Sequence, residues 1–280
     1  MTWRRCIWFI AAISVPLMAS AQEYGYTHSG FSGTLYRVAI PSGSMETVGQ
    51  LGGEYRSFAI SSEGLLYGLS AFGDEVFLVD TITGAATNLG TLTVGPDEYP
   101  TGITFDQEGR LLMLASANPQ SALYEVDPAN LSASLVTWID SNAISSIAIS
   151  GADCYAASPY GGLFAVDIST GSVSELPGSS GGYYQRVHDL SFDGRGQLWA
   201  TEEQSDPISG CAANYLARFN LTTGEYSRIV QLPVPEYECL FPLAIQPIPV
   251  IPVPAQGSVG IALVILAIAS VGFVILLRRS

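Results

Sequence analysis

Aromatic side chains, most of them next to carboxylates, recur at five places along the chain, each ahead of a predicted strand. Aromatic rings stack on sugar rings and attract cations through the ring quadrupole. The pattern predicts a binding surface for a glycan or a cationic protein, provided that the fold brings these places to one face. For the carboxylates alone, solvated loop charge is the simpler interpretation. The candidate ligand-binding residues are Glu54, Tyr55, Glu98, Tyr99, Trp138, Tyr184, Glu236 and Tyr237.

No residue is predicted to be catalytic. The chain has 2 His, of which His188 precedes Asp189, a pairing that could form a general base. No Ser or Cys lies in a recognisable nucleophile motif, so His28 and His188 are expected at the surface or lining a channel. No metal or other cofactor is predicted, because five Asp residues fall in turns that explain them better as backbone-bonding groups. These are Asp80, Asp106, Asp127, Asp167 and Asp193.

Acidic residues greatly outnumber basic ones. The chain has 25 Asp and Glu against 11 Lys and Arg, giving a formal net charge of −14 at pH 7. Nucleic acid is excluded as a partner, because no basic patch is present to neutralise phosphates. Hydrophobic residues make up 48% of the chain and aromatic residues 10%. This composition can build a core and argues against disorder.

An apolar motif that recurs five times identifies the elements that must position the candidate residues. Most copies are followed by Asp or Asn and then by Gly, which is typical of a strand entering a tight turn. The copies lie roughly 40 to 50 residues apart, which is the length of a β-propeller blade. Alternating apolar residues between them supply the other strands. The copies span residues 35–38, 76–79, 123–126, 163–166 and 216–219.

Two incomplete pieces at the ends of the repeat region predict how the ring closes. Four complete units run from about residue 57 to residue 232. Residues 23–50 have the pattern of the second, third and fourth strands of a unit, and residues 240–245 that of a first strand. Pairing 240–245 with the strand at Tyr24 to Tyr26 makes a fifth blade and removes open edges. The predicted fold class is therefore all-β: a five-bladed β-propeller over residues 22–245, closed by N- and C-terminal strands.

Three Cys remain if residues 1–21 are removed. Cys211 falls in the predicted loop between the second and third strands of the fourth blade, and Cys239 in the link to the next blade. These two kinds of connection share one face of a propeller. Since an exported chain meets an oxidising compartment, we predict a Cys211–Cys239 disulfide. Cys154 falls in a predicted strand and fits a small buried hydrophobic residue.

The repeat resembles that of secreted bacterial propeller proteins of the YVTN and NHL type, which carry an LYxVDxxTG pattern. This resemblance implies blades but no particular chemistry, since propellers serve many functions. One string, Gly196-Gln-Leu-Trp199-Ala-Thr-Glu202, also resembles a repeat of the streptogramin-lyase group of propellers. It occurs in one blade only, where Trp199 is expected to fill the wedge between blades.

The favoured interpretation is an exported binding or interaction module of the bacterial envelope or extracellular matrix, rather than an enzyme. A propeller enzyme of the lyase or lactonase kind is one alternative, which polar residues converging at the channel mouth would favour. A structural coat protein is another, which self-assembly without a ligand would favour.

The two ends of the chain predict export and membrane attachment. Residues 1–21 begin with Arg4 and Arg5, continue with an apolar run and end in small residues, as in a cleaved signal peptide; an uncleaved anchor is the alternative. Residues 259–277 carry no charge and are long enough for a transmembrane helix across about 30 Å of hydrocarbon. The basic tail, 278–280, would stay cytoplasmic and place the acidic domain on the other side.

A Pro-rich linker, residues 246–258, separates the predicted propeller from the membrane helix and favours an extended spacer. The order of a short Pro motif, an apolar span and an Arg pair resembles the C-terminal sorting domains of the IPTL and PEP types. That resemblance implies recognition by an exosortase-family membrane protease, with surface display or release. The Thr-Leu and Trp usual in the IPTL form are absent, and a permanent anchor is the alternative. The motif residues are Ile251, Pro252, Val253 and Pro254.

Overall fold

The computed structural model of the chain describes residues 22–141, 144–159, 162–178, 185–206, 210–235 and 238–246. In these ranges, all of the regular secondary structure is β-strand, and the strands form five antiparallel sheets of four strands each. Within the same ranges, no helix is long and apolar enough to cross a bilayer. The predicted signal peptide, sorting motif, membrane helix and basic tail lie outside the described residues.

Each four-stranded sheet is one blade. Blade 1 consists of β4 (Tyr55–Ile60), β5 (Leu66–Ser70), β6 (Glu75–Val79) and β7 (Ala86–Thr91). Blade 2 consists of β8 (Glu98–Phe105), β9 (Leu111–Ala117), β10 (Gln120–Val126) and β11 (Ala133–Ile139). Blade 3 consists of β12 (Ser146–Ser150), β13 (Asp153–Ala157), β14 (Leu163–Val166) and β15 (Val173–Glu175). Blade 4 consists of β16 (Gln185–Phe192), β17 (Leu198–Asp206), β18 (Gly210–Phe219) and β19 (Tyr226–Gln231). Blade 5 consists of β20 (Ala244–Ile245), β1 (Glu23–His28), β2 (Thr34–Ile40) and β3 (Met45–Gln50).

The first strands of the five blades form a closed ring around a central channel. They contact one another in the order β4, β8, β12, β16, β20 and back to β4. The composite fifth blade predicted from the sequence is confirmed, because β20 pairs antiparallel with β1 through Gly25 with Ile245 and Tyr26 with Ala244. Phe241 N–H also donates to His28 O over 3.0 Å and extends this closure. The fold is therefore a five-bladed β-propeller, which leaves neither end of the ring as an open edge.

The core is divided into five apolar clusters, each packed between two neighbouring blades. Trp199 belongs to the cluster between blades 4 and 5, where it is 4% exposed. Its indole N–H donates to Asp193 Oδ2 over 2.9 Å, so the one polar atom of the ring is also satisfied. Trp199 thus fills the wedge between blades, as the repeat predicted.

The turns that follow the third strands use the recurring Asp and Asn residues as expected. Asp80 Oδ1 accepts hydrogen bonds from Ile82 N–H and Thr83 N–H, over 2.8 and 3.0 Å. These bonds lower the pKa of Asp80. Gly84 completes the turn with φ of +77°, a conformation that side chains with a Cβ rarely adopt. Such turns hold the blades in register on the face away from the candidate site.

Candidate functional site at the channel mouth

We call the face of the propeller on which the first strand of each blade begins the entry face. On this face, one residue of each first strand or of the segment just before it lines the channel. Loops between second and third strands reach the same face because neighbouring strands are antiparallel. The blades align on their buried residues Phe58, Ile103, Ile147, Leu190 and Leu243. The residue two positions before each of these belongs to a set that we call the mouth ring: Arg56, Thr101, Ser145, His188 and Phe241. All five ring residues line one cavity of about 550 Å³, the mouth cavity, which is within the size range of ligand sites.

β-Bulges at three ring positions bring polar side chains to this cavity. The register of β4 against β5 shifts between Tyr55 and Ser57, which leaves Arg56 as the extra residue. Equivalent shifts leave Thr101 in β8 and His188 in β16 without a partner. A bulge interrupts the alternation of a strand and redirects a side chain, and bulges are frequent next to binding sites.

Two backbone carbonyl groups fix the guanidinium of Arg56. Its Nη2 donates to Ala71 O over 2.6 Å and its Nη1 to Pro100 O over 3.2 Å. Burial lowers the pKa of Arg56, although the charge of Asp74 opposes this effect. Both acceptors are neutral, so they orient the cation without cancelling its charge.

His188 and Glu203 form a second polar feature of the mouth. His188 Nε2 lies 2.8 Å from Glu203 Oε2, and the Ser205 hydroxyl donates to Glu203 over 2.5 Å. Burial opposes ionisation of Glu203, but these hydrogen bonds and the nearby charge of Arg186 lower its pKa overall. Glu203 is therefore an ionised carboxylate that orients His188 towards the cavity.

Phe241 lies between the two imidazoles of the molecule. Its ring contacts His188 edge-on at 4.7 Å between centroids and lies 6.0 Å from the ring of His28. Gly30 permits this position, because a Cβ there would overlap the Phe241 ring. His28 is fully buried behind Phe241, and burial lowers its pKa. His28 therefore does not lie at the surface, although it is among the residues that form the wall of the mouth cavity.

Exposed aromatic rings stand on the entry face. Phe72 lines the mouth cavity and is 86% exposed, and Tyr99 is 65% exposed at the start of β8. Phe31 is 74% exposed in the corresponding loop of blade 5. None of these three rings is buried, so packing within the chain does not account for them. Large exposed apolar groups at a concave site are typical of recognition surfaces.

Tyr55 was predicted to be an exposed residue of the binding surface, but the structure buries its side chain. It is 3% exposed and packs against the rings of Phe58 and Phe77, so it belongs to the core. The repeat alignment gives the reason: Tyr99 aligns with Glu54 and not with Tyr55. Successive strand residues face opposite sides, so a one-residue offset moves a ring from solvent to core.

The other candidate residues lie in different environments, and some lie outside the described residues. Glu54 is exposed and lines the mouth cavity, as a binding residue would. Glu98 accepts a hydrogen bond from the Tyr124 hydroxyl over 2.5 Å and is engaged within blade 2. The placement of Trp138 in an inter-blade link is wrong, because it lies in β11, the outermost strand of blade 2. Three further candidates lie outside the described residues, namely Tyr184, Glu236 and Tyr237.

The structure joins Cys211 and Cys239 in a disulfide, with Cα atoms 5.5 Å apart. The bond connects the start of β18 to the segment that closes blade 5, while Cys154 is a buried free thiol. Potential ligand atoms of Glu203 and both bonded Cys lie within 4.8 Å of one another. Because the disulfide consumes both thiolates, this cluster does not fit a metal ion.

A larger cavity of about 640 Å³ lies at the other end of the channel. Its two turn carboxylates already have partners within the chain. Asp106 binds the Arg110 side chain over 2.7 Å, and Asp193 binds Trp199. The exposed charged side chains Glu54, Arg56 and Arg186 line the mouth cavity instead, so the entry face is the better candidate although its cavity is smaller.

Arg56, Arg186 and Phe72 line the mouth cavity but were not predicted as site residues. The position of the two Arg residues within the repeat could have identified them. When the blades are aligned, Arg56 corresponds to His188, and Arg186 corresponds to Tyr99. Aligning the blades residue by residue, rather than searching for clusters of Tyr and Glu, would have found the two Arg residues.

Neither a protein-family model nor a curated protein matches the chain. Among solved structures, it is similar to a chain of a nidogen–laminin complex, with 10% identity and a TM-score of 0.49, over 80% of this chain and 84% of that one. A regucalcin, a calcium-binding protein of Agrobacterium tumefaciens, gives 19% identity and a TM-score of 0.45 over 79% and 77%. A Bacteroides thetaiotaomicron protein of unknown function has 18% sequence identity and a TM-score of 0.47, over 64% of this chain and 53% of that one. At these values, the five-bladed β-propeller assignment rests on the strand topology of the chain itself.

Proposed function

We propose that the chain is an exported binding module, held at the membrane or cell surface, whose ligand site is the mouth cavity. One observation carries this proposal: the mouth ring repeats in position but not in chemistry, with Arg, Thr, Ser, His and Phe in the five blades. The position two residues later is a buried apolar residue in every blade, as packing requires. A ring that only supported the fold would be expected to keep one kind of side chain.

The ligand class favoured by the entry face is a saccharide. Phe72 and Tyr99 offer exposed ring faces for stacking on the apolar side of a sugar. The hydroxyls of Thr101 and Ser145 donate to backbone carbonyls, which leaves their oxygens as acceptors for sugar hydroxyls, and Arg56 supplies guanidinium donors. Cell-surface or matrix polysaccharide is therefore the proposed target, and the cationic protein considered from the sequence is the less favoured one.

Export and anchoring are part of the proposal. The Cys211–Cys239 disulfide supports an oxidising compartment. The signal-like start, the apolar span and the sorting-like motif support display outside the cytoplasm, with release after cleavage by an exosortase-family protease. A location in the bacterial envelope or extracellular matrix follows from these features.

The test is retention of the full-length protein on immobilised cell-surface polysaccharide. Phe72→Ser and Tyr99→Ser should each weaken retention without changing the melting temperature. Ile82→Ser is a matched control, since Ile82 is 84% exposed but lies in a turn on the opposite face. Equal retention of all four proteins would exclude the entry face as the binding surface. Ligand-independent self-assembly would instead favour the coat protein.

A propeller lyase is the second candidate, favoured by the His188–Glu203 contact at the cavity. An imidazole oriented by a carboxylate can act as a general base, and a neighbouring Arg can stabilise the charge that develops on proton abstraction. Incubation with polysaccharide, followed by detection of unsaturated sugar products, tests this candidate. Product formation that is lost in His188→Gln would establish an enzyme.

A further inference from the structure

The mouth cavity concentrates unpaired positive charge in an acidic chain. Seven Arg residues lie between residues 22 and 246, and four of them are paired with carboxylates. Arg56, Arg186 and Arg218 have no described carboxylate within 4.0 Å. Two of these three, Arg56 and Arg186, line the mouth cavity. The paired residues are Arg37 with Glu46, Arg110 with Asp106, Arg195 with Glu23 and Arg228 with Glu202.

Arg56 is prepared to bind an anion. A guanidinium has five N–H donors, and the carbonyls of Ala71 and Pro100 account for two of them. Holding the side chain in place beforehand reduces the entropy lost when a ligand binds. The remaining donors and the whole positive charge are thus available at the cavity.

Arg186 lines the mouth cavity from blade 4, whereas Arg56 lines it from blade 1. It is exposed in β16, opposite Glu203 of β17 in the strand pairing. No N···O distance within 4.0 Å joins Arg186 to Glu203, which is hydrogen-bonded to His188 and Ser205, although the charge of Arg186 helps to lower the pKa of Glu203. Blades 1 and 4, which carry the two Arg residues, flank blade 5, and β4 and β16 also contact each other directly.

Nearby carboxylates restrict the anion that can enter. Glu54 lines the same cavity, and Asp74 lies close enough to influence Arg56. A polyphosphate or another densely charged ligand would be repelled by these groups. A single carboxylate on an otherwise neutral sugar would meet less repulsion than such a ligand and could still be attracted by the two Arg residues.

We infer that the mouth cavity binds a carboxylate-bearing saccharide, a uronic acid unit, with its carboxylate held by Arg56 and Arg186. This inference rests on the proposed saccharide-binding function and names its ligand class. Arg binds carboxylates through two parallel N–H···O bonds, which gives geometric as well as electrostatic selectivity. Acidic groups more than about 8 Å from the cavity oppose binding only weakly at physiological ionic strength, because their charges are largely screened.

Calorimetric titration of the full-length protein with two matched probes tests the inference. The probes are an oligogalacturonate and the same oligosaccharide with its carboxylates reduced to neutral hydroxymethyl groups. We expect the acidic probe to bind at least about tenfold more tightly, which corresponds to about 1.4 kcal/mol. Arg56→Gln and Arg186→Gln should each remove most of this difference. Arg186→Gln should leave binding of the neutral probe unchanged, whereas Arg56→Gln should weaken it as well, because Arg56 also donates to sugar hydroxyls.

Controls separate this inference from the proposed function. Arg218→Gln removes an exposed Arg that has no carboxylate within 4.0 Å among the described residues and does not line the cavity, so this variant should bind both probes as the unaltered protein does. If both probes bind equally, the saccharide site stands and the carboxylate assignment is overturned. If neither probe binds, the proposed function fails. If Arg218→Gln weakens binding as much as Arg186→Gln, diffuse charge rather than the cavity is responsible. Arg186→Gln decides the matter if Arg56→Gln fails to fold.

Discussion

Ser57 Oγ donates a hydrogen bond to Asp189 Oδ2 over 3.0 Å, although the two residues are 132 positions apart in the chain. Phe58 N–H donates to the same oxygen over 3.3 Å, and Asp189 is 1% exposed. The contact joins blade 1 to blade 4 directly beneath the mouth ring. It therefore spans the place where the N- and C-terminal strands close the propeller.

The stability of the protein should depend on the ionisation of Asp189. Burial raises the pKa of Asp189 well above its usual 3.8, although hydrogen bonds from Ser57 and Phe58 oppose the shift. Above pH 3.8 the folded state then holds a proton that the unfolded state loses, so the free energy of unfolding should fall as the pH rises towards the raised pKa. Asp189→Asn should remove this part of the decline. Urea unfolding of both proteins at several pH values measures it, and parallel profiles would contradict it.

Tyr55 and Tyr99 should respond very differently to the same substitution. Tyr55→Ser removes a buried ring from the cluster between blades 5 and 1 and should lower the free energy of unfolding by about 3 to 5 kcal/mol. Tyr99→Ser removes an exposed ring and should change it by less than about 0.5 kcal/mol. Denaturant unfolding gives both values. Similar losses would mean that Tyr99 is also part of the core.

Removal of the closing strand should abolish cooperative unfolding. A chain that ends at Gln231 lacks β20 and leaves β1 and the inner faces of blades 1 and 4 uncovered. Circular dichroism during heating should show a broad transition for this chain and a sharp one for a chain that ends at Gln246.

The truncation also removes Cys239, so a disulfide control is needed. Cys211→Ser with Cys239→Ser keeps β20 and should retain a sharp transition. It should lose about 3 to 4 kcal/mol, since a bond with a sequence separation of 28 restricts the unfolded chain. A broad transition in this variant would assign cooperativity to the disulfide rather than to β20.

Cys154 should be unreactive in the folded protein. Burial raises the pKa of its thiol to about 12, so almost no thiolate is present at neutral pH. Treatment with iodoacetamide and peptide mapping should show labelling of Cys154 only after denaturation. Cys211 and Cys239 should be labelled only after reduction. Rapid labelling of Cys154 in the native protein would show that blade 3 opens readily.

The strands and the turns could be predicted from the sequence because each depends on neighbouring residues, and the number of blades could be predicted from the count of repeats. Alternating side chains specify a strand. Asp80 and Gly84 specify a turn through bonds and dihedral angles within a few residues of each other. Even the closure followed from counting incomplete repeats, since a strand without partners must find one.

Only the tertiary structure decided which side chains meet at the mouth. Bulges at Arg56, Thr101 and His188 interrupt the alternation. The pattern of an aromatic residue beside a carboxylate placed Tyr55 at the surface, whereas its ring packs against Phe58 and Phe77. The contact between Ser57 and Asp189 depends on the curvature of the whole ring. Side-chain alternation is local, whereas a channel mouth collects one residue from each blade, and the distances between blades exist only after the ring has closed.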